Sequence, residues 1–459
     1  MEKKNQLQAG FARVDITPPL GIPMGGYFDP QNRLAKAVKD PLEINAIAVS
    51  NGEKTAILFS VDLLMIHKGL TEKYRRSIVE KTGVPYEALF IACTHTHTGP
   101  NLYPTAFTGE LSEKVARYLD FLGDRLCDAA QLALQDLKPA QMGYAVSSLK
   151  NIAFIRRYRY KDGSVRTNPA RFDPNIIEPT TTVDERVNVL RFLREGGKEI
   201  IVGNFGIHAC CMKGIPEFSA DFPRFTRETI EAVLPAHCVF FSGAEGDVNH
   251  YNPFVAPKNE NAFEQAHNLC DAGYNFSDQN NAAYIGRAVA GSMLQVYGDV
   301  QWVEDAAVDF GEQMCTAFFN KPEPEEIPWM EELYARKAAG ENIKETYPPH
   351  SLAKASRILS LKDSPETDEL PVTAVRIGPA AFVGMPGEPF TKIGTQLKEN
   401  SPFAITLPCA VTNGAQGYYP MAEDYAGHSY EAVSSRFKAG TAEALIATGT
   451  ELLNKLKED

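Results

Sequence analysis

The chain has 459 residues, 44% hydrophobic and 23% charged, which excludes a disordered or low-complexity protein. A net charge of −12 excludes a broad basic face for nucleic acid or anionic lipid and leaves small neutral or cationic partners. No uninterrupted apolar run reaches the roughly 18–20 residues that a transmembrane helix needs.

In chain order, MEKKNQLQAG (1–10) is charged with no apolar stretch behind it, so no secretory signal is expected there. KTAILFSVDLLMI (54–66) is β-branched and leucine-rich and predicts a buried strand. LTEKYRRSIVEKTGV (70–84) predicts a helix ended by Gly83, and ALFIACTH (88–95) a second strand. Strand, helix, strand at this spacing is a βαβ unit. It predicts an α/β fold with a parallel or mixed sheet flanked by helices, three-layer α/β/α-like.

A longer helix is expected over 114–137 and a loop over DPNIIEPTTTVDE (173–185). Further strands are expected in VNVLRFL (187–193), EIIVGNFGIH (199–208), HCVFFSGAEG (237–246), VTAVRIG (372–378) and AAFVGMPGE (380–388). Between 319 and 365 the chain turns proline-rich, then charged with a helical pattern, and reads as a helical insertion or lid. The eight cysteines, Cys270 among them, include no C-x-x-C pair, and several lie in apolar runs. A reducing cytoplasm is the expected setting.

Polar groups stand just after the apolar runs: His95 and His97, then His208, Asp247 and Glu388. In open α/β sheets ligands bind beyond the carboxyl ends of strands, so distant segments have a reason to converge there. On an extended strand His95 and His97 would share one face, roughly 6–7 Å apart. They could hold one metal, divide metal binding and proton transfer between them, or be a hydrogen-bonded structural pair. His208, alone, reads as a satisfied core histidine. Cys210 and Cys211 would face opposite ways on a strand, which argues against both reaching one metal. Asp247 and Asn249 in GAEGDVNH (243–250) read as loop anchors, and Asp221 as a helix cap.

Five stretches in order carry a resemblance: THTHTGP (94–100), NFGIHACCM (204–212) with SADFP (219–223), GAEGDVN (243–249), PGEPFT (386–391) and TNGAQGYYPMAEDYAGHSYEAVSS (412–435). Together they resemble the catalytic domain of neutral (non-lysosomal) ceramidases, zinc amidases that split N-acyl sphingosine. The resemblance implies zinc held by His95, His208, Glu388 and Tyr418, with Tyr419 in reserve. It implies that His97 stands beside the metal as a proton shuttle. It also implies an arginine on the scissile carbonyl, Arg156 before Arg157, with Tyr418 sharing that catalytic work. Such a site would acidify a bound water toward about 7 and polarise the carbonyl. The implied partner is a small-molecule amide or a lipid-like, ceramide-like substrate.

The chain is expected to form one such catalytic domain over 1–459, without the family's C-terminal immunoglobulin-like domain. It carries Ile155 before Arg156 where the family has asparagine. Two further readings keep the scaffold: a zinc-dependent esterase or lactonase on a small non-lipid substrate, and a non-catalytic metal-binding or sensor protein.

Overall fold

The computed structural model describes residues 6–27, 33–103, 111–212, 215–255, 279–304 and 307–458, and Cys270 lies outside them. The first half of the chain builds a mixed sheet from Gln8–Asp15 (β1), Glu43–Ser50 (β2), Thr55–Val61 (β3), Leu89–Cys93 (β4), Lys138–Ser148 (β5), Arg186–Arg194 (β6), Glu199–Phe205 (β7) and Ala236–Ser242 (β8). They hydrogen-bond in the order β8-β7-β6-β5-β1-β2-β3-β4, and Gln301–Val303 adds beside β5.

The middle pairs are antiparallel; the two outer pairs, β3–β4 and β7–β8, are parallel. Parallel neighbours need a crossover, supplied by Lys68–Thr82 (α1) at one end of the sheet and Asp221–Val233 (α3) at the other. Glu113–Gln135 (α2) packs on β1 and β2, and Ser112 caps it by accepting the Val115 N–H. Gln279–Gln295 (α4) lies against α3.

A second, four-stranded sheet comes from Val308–Phe318 (β9), Thr367–Ile377 (β10), Ala380–Gly384 (β11) and Ile405–Cys409 (β12). Between β9 and β10 stand two longer helices, Glu326–Ala338 (α5) and Ser351–Leu361 (α6), with the single turn Ile343–Thr346 between them, in the region where an insertion is expected. They share a small core of Met330, Leu333, Ile343, Ala355 and Ile358. Thr391–Asn400 (α7) crosses from β11 to its parallel partner β12, and Thr441–Glu458 (α8) covers β9 and β10.

The parallel pairs of the two large sheets, β3–β4, β7–β8 and β11–β12, come together. Phe90 of β4, Phe241 of β8 and Phe382 of β11 form a triangle of edge-on rings with centroids 5.4–6.4 Å apart. Asn204 of β7 crosses between the sheets, donating to the Phe241 and Pro408 carbonyls. Its amide satisfies backbone that would otherwise be buried without a partner. This interlock aims the carboxyl ends of β4, β7, β8 and β11 at one place.

The mixed sheet with flanking helices matches the expectation. The second sheet is an addition, packed through β12 against β5, β6 and β7. The strand expected over 54–66 ends at Val61, because Asp62 turns its carboxylate onto Arg227. The loop expected over 173–185 contains a short strand, Ile176–Pro179, paired with Tyr158–Tyr160. No described helix is long and apolar enough to cross a membrane.

Candidate metal centre and its cavity

The motif Thr94-His95-Thr96-His97-Thr98 alternates anchors with reactive groups. Thr94 donates to Asp62, and Thr96 and Thr98 both donate to the Ser219 carbonyl. The threonines pin the loop to the scaffold while both imidazoles face inward. The two histidines do not share a strand face as the spacing suggests. The strand ends at Cys93 and His95 takes a left-handed φ of 61°, so a turn brings the rings to 5.0 Å. The left-handed conformation costs a non-glycine residue about 1–2 kcal/mol, borne here by the surrounding loop contacts.

His208 follows β7 and reaches the same point: its ring centroid is 4.9 Å from that of His95 and 5.6 Å from that of His97. Ring nitrogens of these three buried histidines all lie within 4.8 Å of one another. Glu388 arrives from the end of β11 on a two-residue strand paired in parallel with Tyr418–Tyr419, which sets Glu388 beside Tyr418. Its Oε2 is 3.3 Å from His95 Nε2 and 3.1 Å from His208 Nε2.

The proton positions follow from the partners. His95 Nδ1 faces the Leu64 carbonyl at 2.8 Å, and His208 Nδ1 faces the Glu245 and Val248 carbonyls at 2.8 and 3.1 Å. A carbonyl only accepts, so both Nδ1 atoms carry hydrogen, and in the neutral rings both Nε2 atoms present lone pairs. Two lone pairs and a carboxylate oxygen thus converge with no proton donor among the three. Such a donor set calls for a positive charge between them and fits a divalent cation with nitrogen and oxygen ligands. Without a cation there, the Glu388 charge would itself hold a proton on His95. Burial alone depresses the His95 imidazole, but Glu388 outweighs it and lifts it to about 9, while burial and Arg156 take His208 down to about 4. Burial pushes the Glu388 carboxyl up, and His95 with His208 more than reverses this, holding it well below the usual range.

His97 differs from its two neighbours. Neither ring nitrogen has a hydrogen-bond partner among the described residues, so nothing fixes its tautomer. Burial, with His95 and His208 beside it, holds the imidazole neutral.

Arg156 reaches the cluster and Arg157 does not. Arg156 pairs through Nε with Glu431 at 2.7 Å, donates through Nη2 to the Gly246 carbonyl, and brings Nη1 to 3.4 Å from His208 Nε2. Arg157 turns away to Asp424 and Ser429. Tyr418 stacks over His208 with ring centroids 6.4 Å apart, and the Arg156 guanidinium lies 5.2 Å over its ring. Tyr419 points into the core and donates to the Pro386 carbonyl. The cluster opens into a cavity of about 450 Å³, to which the helical insertion contributes His350 and Ser356.

Other groups sit where the sequence gives only local readings. Asp247 accepts from the Thr391 N–H and hydroxyl and so anchors α7, while Asn249 bonds Asn168, both acting as loop anchors as expected. Asp221 is the first residue of α3 rather than its cap; it accepts the Phe222 and Met212 N–H groups from a left-handed backbone. Cys210 and Cys211 follow the end of β7, so strand alternation does not apply. Both sulfurs approach His250 Nδ1, at 3.9 and 3.7 Å, and only Cys210 also lines the cavity. Glu245 and Glu431 stand out as unforeseen. Glu245 is fully buried, neither carboxylate oxygen has a hydrogen-bond partner among the described residues, and burial pushes it up to about 8. A carboxylate inside the apolar-glycine run FFSGAEG was the available signal.

Gly26 closes the cavity over His97. Its φ is 93°, and an added Cβ would fall 2.6 Å from His97 Nδ1. Gly26→Ala is expected to push the imidazole aside, lowering turnover about 100-fold with the bound-metal content unchanged. Loss of metal together with turnover, in elemental analysis beside the rate, would contradict this.

No family model matches the chain. Its sequence is 20% identical over 446 residues to a neutral ceramidase of Mycobacterium tuberculosis, covering 89% of this chain and 70% of that relative. The solved neutral ceramidase from Pseudomonas aeruginosa matches with a TM-score of 0.73 at 18% identity, over 99% of this chain and 75% of that one. A ceramidase structure in complex with C2 matches with a TM-score of 0.72 at 18% identity. The chain thus resembles the neutral ceramidases along most of its length and shares their fold.

Proposed function

We propose that this protein is a zinc-dependent hydrolase that cleaves the amide bond of an N-acyl substrate. One observation carries the reading: the Nε2 atoms of His95 and His208 stand 3.3 and 3.1 Å from one Glu388 oxygen, with both Nδ1 atoms tied to backbone carbonyls. The resemblance to amidases of the same fold supports it. His95, His208 and Glu388 would hold the metal, with the Tyr418 phenol as a fourth, weaker ligand. When bound, zinc would supply Lewis acidity, polarising the carbonyl and making a water more acidic.

The remaining work falls to the chain's own groups. The Arg156 guanidinium, held in place by Glu431 and the Gly246 carbonyl, donates toward the oxygen that gains charge. The Tyr418 hydroxyl stands beside it. His97, neutral and unanchored, takes a proton and delivers it to the departing nitrogen. In this reading 1–459 is one catalytic domain and the insertion over 319–365 serves as the cavity's lid, through His350 and Ser356. A reducing cytoplasm belongs to the same reading, as the setting for cysteines that lie in apolar runs.

Short N-acyl amides and matched esters, assayed with zinc-loaded and chelator-stripped enzyme, test the proposal. Amide cleavage that vanishes on stripping and returns with zinc is the expected result. Cleavage of esters alone would reassign the scissile bond, and undiminished activity in stripped protein would remove the metal from the reaction.

A further inference from the structure

Resting on that reading, we infer that the substrate is a compact, uncharged, hydroxyl-rich N-acyl amide of the N-acylated amino-sugar class, rather than a long-chain lipid amide. A lipid-binding cleft gains its affinity by burying methylenes, at about 0.8 kcal/mol each, against aliphatic walls. Among the described residues that line this cavity, only Leu64 and Met65 present such side chains. Its volume of about 450 Å³ suits one compact ring with a short acyl group.

The polar lining is arranged for hydroxyl groups. Asn101 lines the cavity, is buried and spends its Nδ2 on the Tyr103 carbonyl, which leaves Oδ1 as its acceptor. Asn168, at the mouth, is fixed at both ends: its N–H bonds the Arg156 carbonyl, and its Oδ1 accepts from Asn249. Its Nδ2 has no protein partner among the described residues and serves as a donor. A hydroxyl both donates and accepts, so it can meet either group. Tyr103 and Tyr430 add aromatic rings to the lining, against which the C–H face of a sugar can rest.

Charge narrows the class further. The one guanidinium lining the cavity among the described residues, Arg156, is already paired with Glu431. The one lining carboxylate, Glu388, belongs to the metal centre. Neither a carboxylated nor a cationic head group finds an unspent partner, and a neutral polyol does.

The test compares three probes on the full, zinc-loaded chain: N-acetylglucosamine, N-hexadecanoyl sphingosine in mixed micelles, and N-acetylaniline. Release of free amine is the readout. The expected result is a kcat/KM for the sugar amide at least tenfold above either other probe. Asn168→Ala and, separately, Asn101→Leu should each raise its KM about tenfold with a far smaller change in kcat, as loss of a ground-state hydrogen bond does. Ligand-observed NMR on metal-stripped protein should show the sugar amide bound in wild type and weakened in both variants. Preferential cleavage of the long-chain amide, or equal cleavage of N-acetylaniline, overturns this inference while leaving the amidase reading intact. Cleavage of none of the three overturns the amidase reading and this inference with it.

Discussion

His95→Ala is expected to lower zinc affinity by more than the roughly 100-fold that loss of an outer-shell partner costs, whereas His97→Ala keeps the metal and loses turnover. The two residues lie two positions apart, yet their rings are held differently. His95 is held by Leu64 in the orientation that turns its Nε2 to the Glu388 oxygen, and His208 is held in the same way by Glu245 and Val248. Such anchoring fixes both orientation and basicity of a metal ligand. His97 has no such anchor, which suits a group that gains and gives up a proton. Its loss should therefore cost turnover about 10²–10⁴-fold, the usual worth of a positioned acid or base.

Elemental analysis of dialysed wild type, His95→Ala and His97→Ala, alongside kcat, separates the roles. Full zinc in His95→Ala would end the assignment. Zinc lost from His97→Ala would put all three histidines on the metal and leave the proton transfer without a carrier.

The parts of this site that were legible in the sequence share one physical origin. A β-branched run must be buried, and whatever polar residue follows it stands at a strand end, where loops meet. His95, His208 and Glu388 all obey this rule, and the structure brings the ends of β4, β7 and β11 together. What the rule could not give was the route. The bend at His95, which replaces the strand face, depends on contacts of Thr94, Thr96 and Thr98 with segments over 30 and 120 residues away.

Strands β1, β2, β5, β9 and β12 are not among those the sequence predicts; in β5 and β9, KPAQMGYAVSS and VDFGEQMCTAF carry small and polar residues, and their burial alternates only in part. Glu431 is opaque for a different reason. A buried carboxylate is defined by the partners that long-range folding puts around it, and a charge in a local stretch reads as solvated by default.

Glu431→Gln should produce the largest loss of stability of any single change near the site. The carboxylate is fully buried between two arginines: Oε1 is 2.7 Å from Arg156 Nε, Oε2 is 3.6 Å from Arg157 Nε, and Oε2 also accepts from Thr167. Removing that charge leaves Arg156 buried with only neutral partners, and breaking a buried pair from one side costs about 3–5 kcal/mol. Arg156 would also lose the contact that aims it at the reacting carbonyl, so turnover should fall about 10²–10³-fold. Replacing both partners, as in Glu431→Gln with Arg156→Met, should recover part of the stability but none of the turnover, because the unpaired cation is gone along with the donor.

The pH dependence gives an independent check. Burial alone would raise the Glu431 carboxyl, but Arg156 and Arg157 outweigh it and hold it below its ordinary 4.5. A carboxyl depressed in the folded state binds protons more readily once unfolded, so its contribution is complete above the ordinary value and disappears as the pH falls through the depressed one. Denaturant unfolding should therefore show wild type and Glu431→Gln furthest apart at neutral pH, with the gap narrowing only on the acid side of 4.5. A gap that is already small at neutral pH, or that does not close in acid, would mean the two arginines are satisfied without this carboxylate, and the positioning of Arg156 would need another cause.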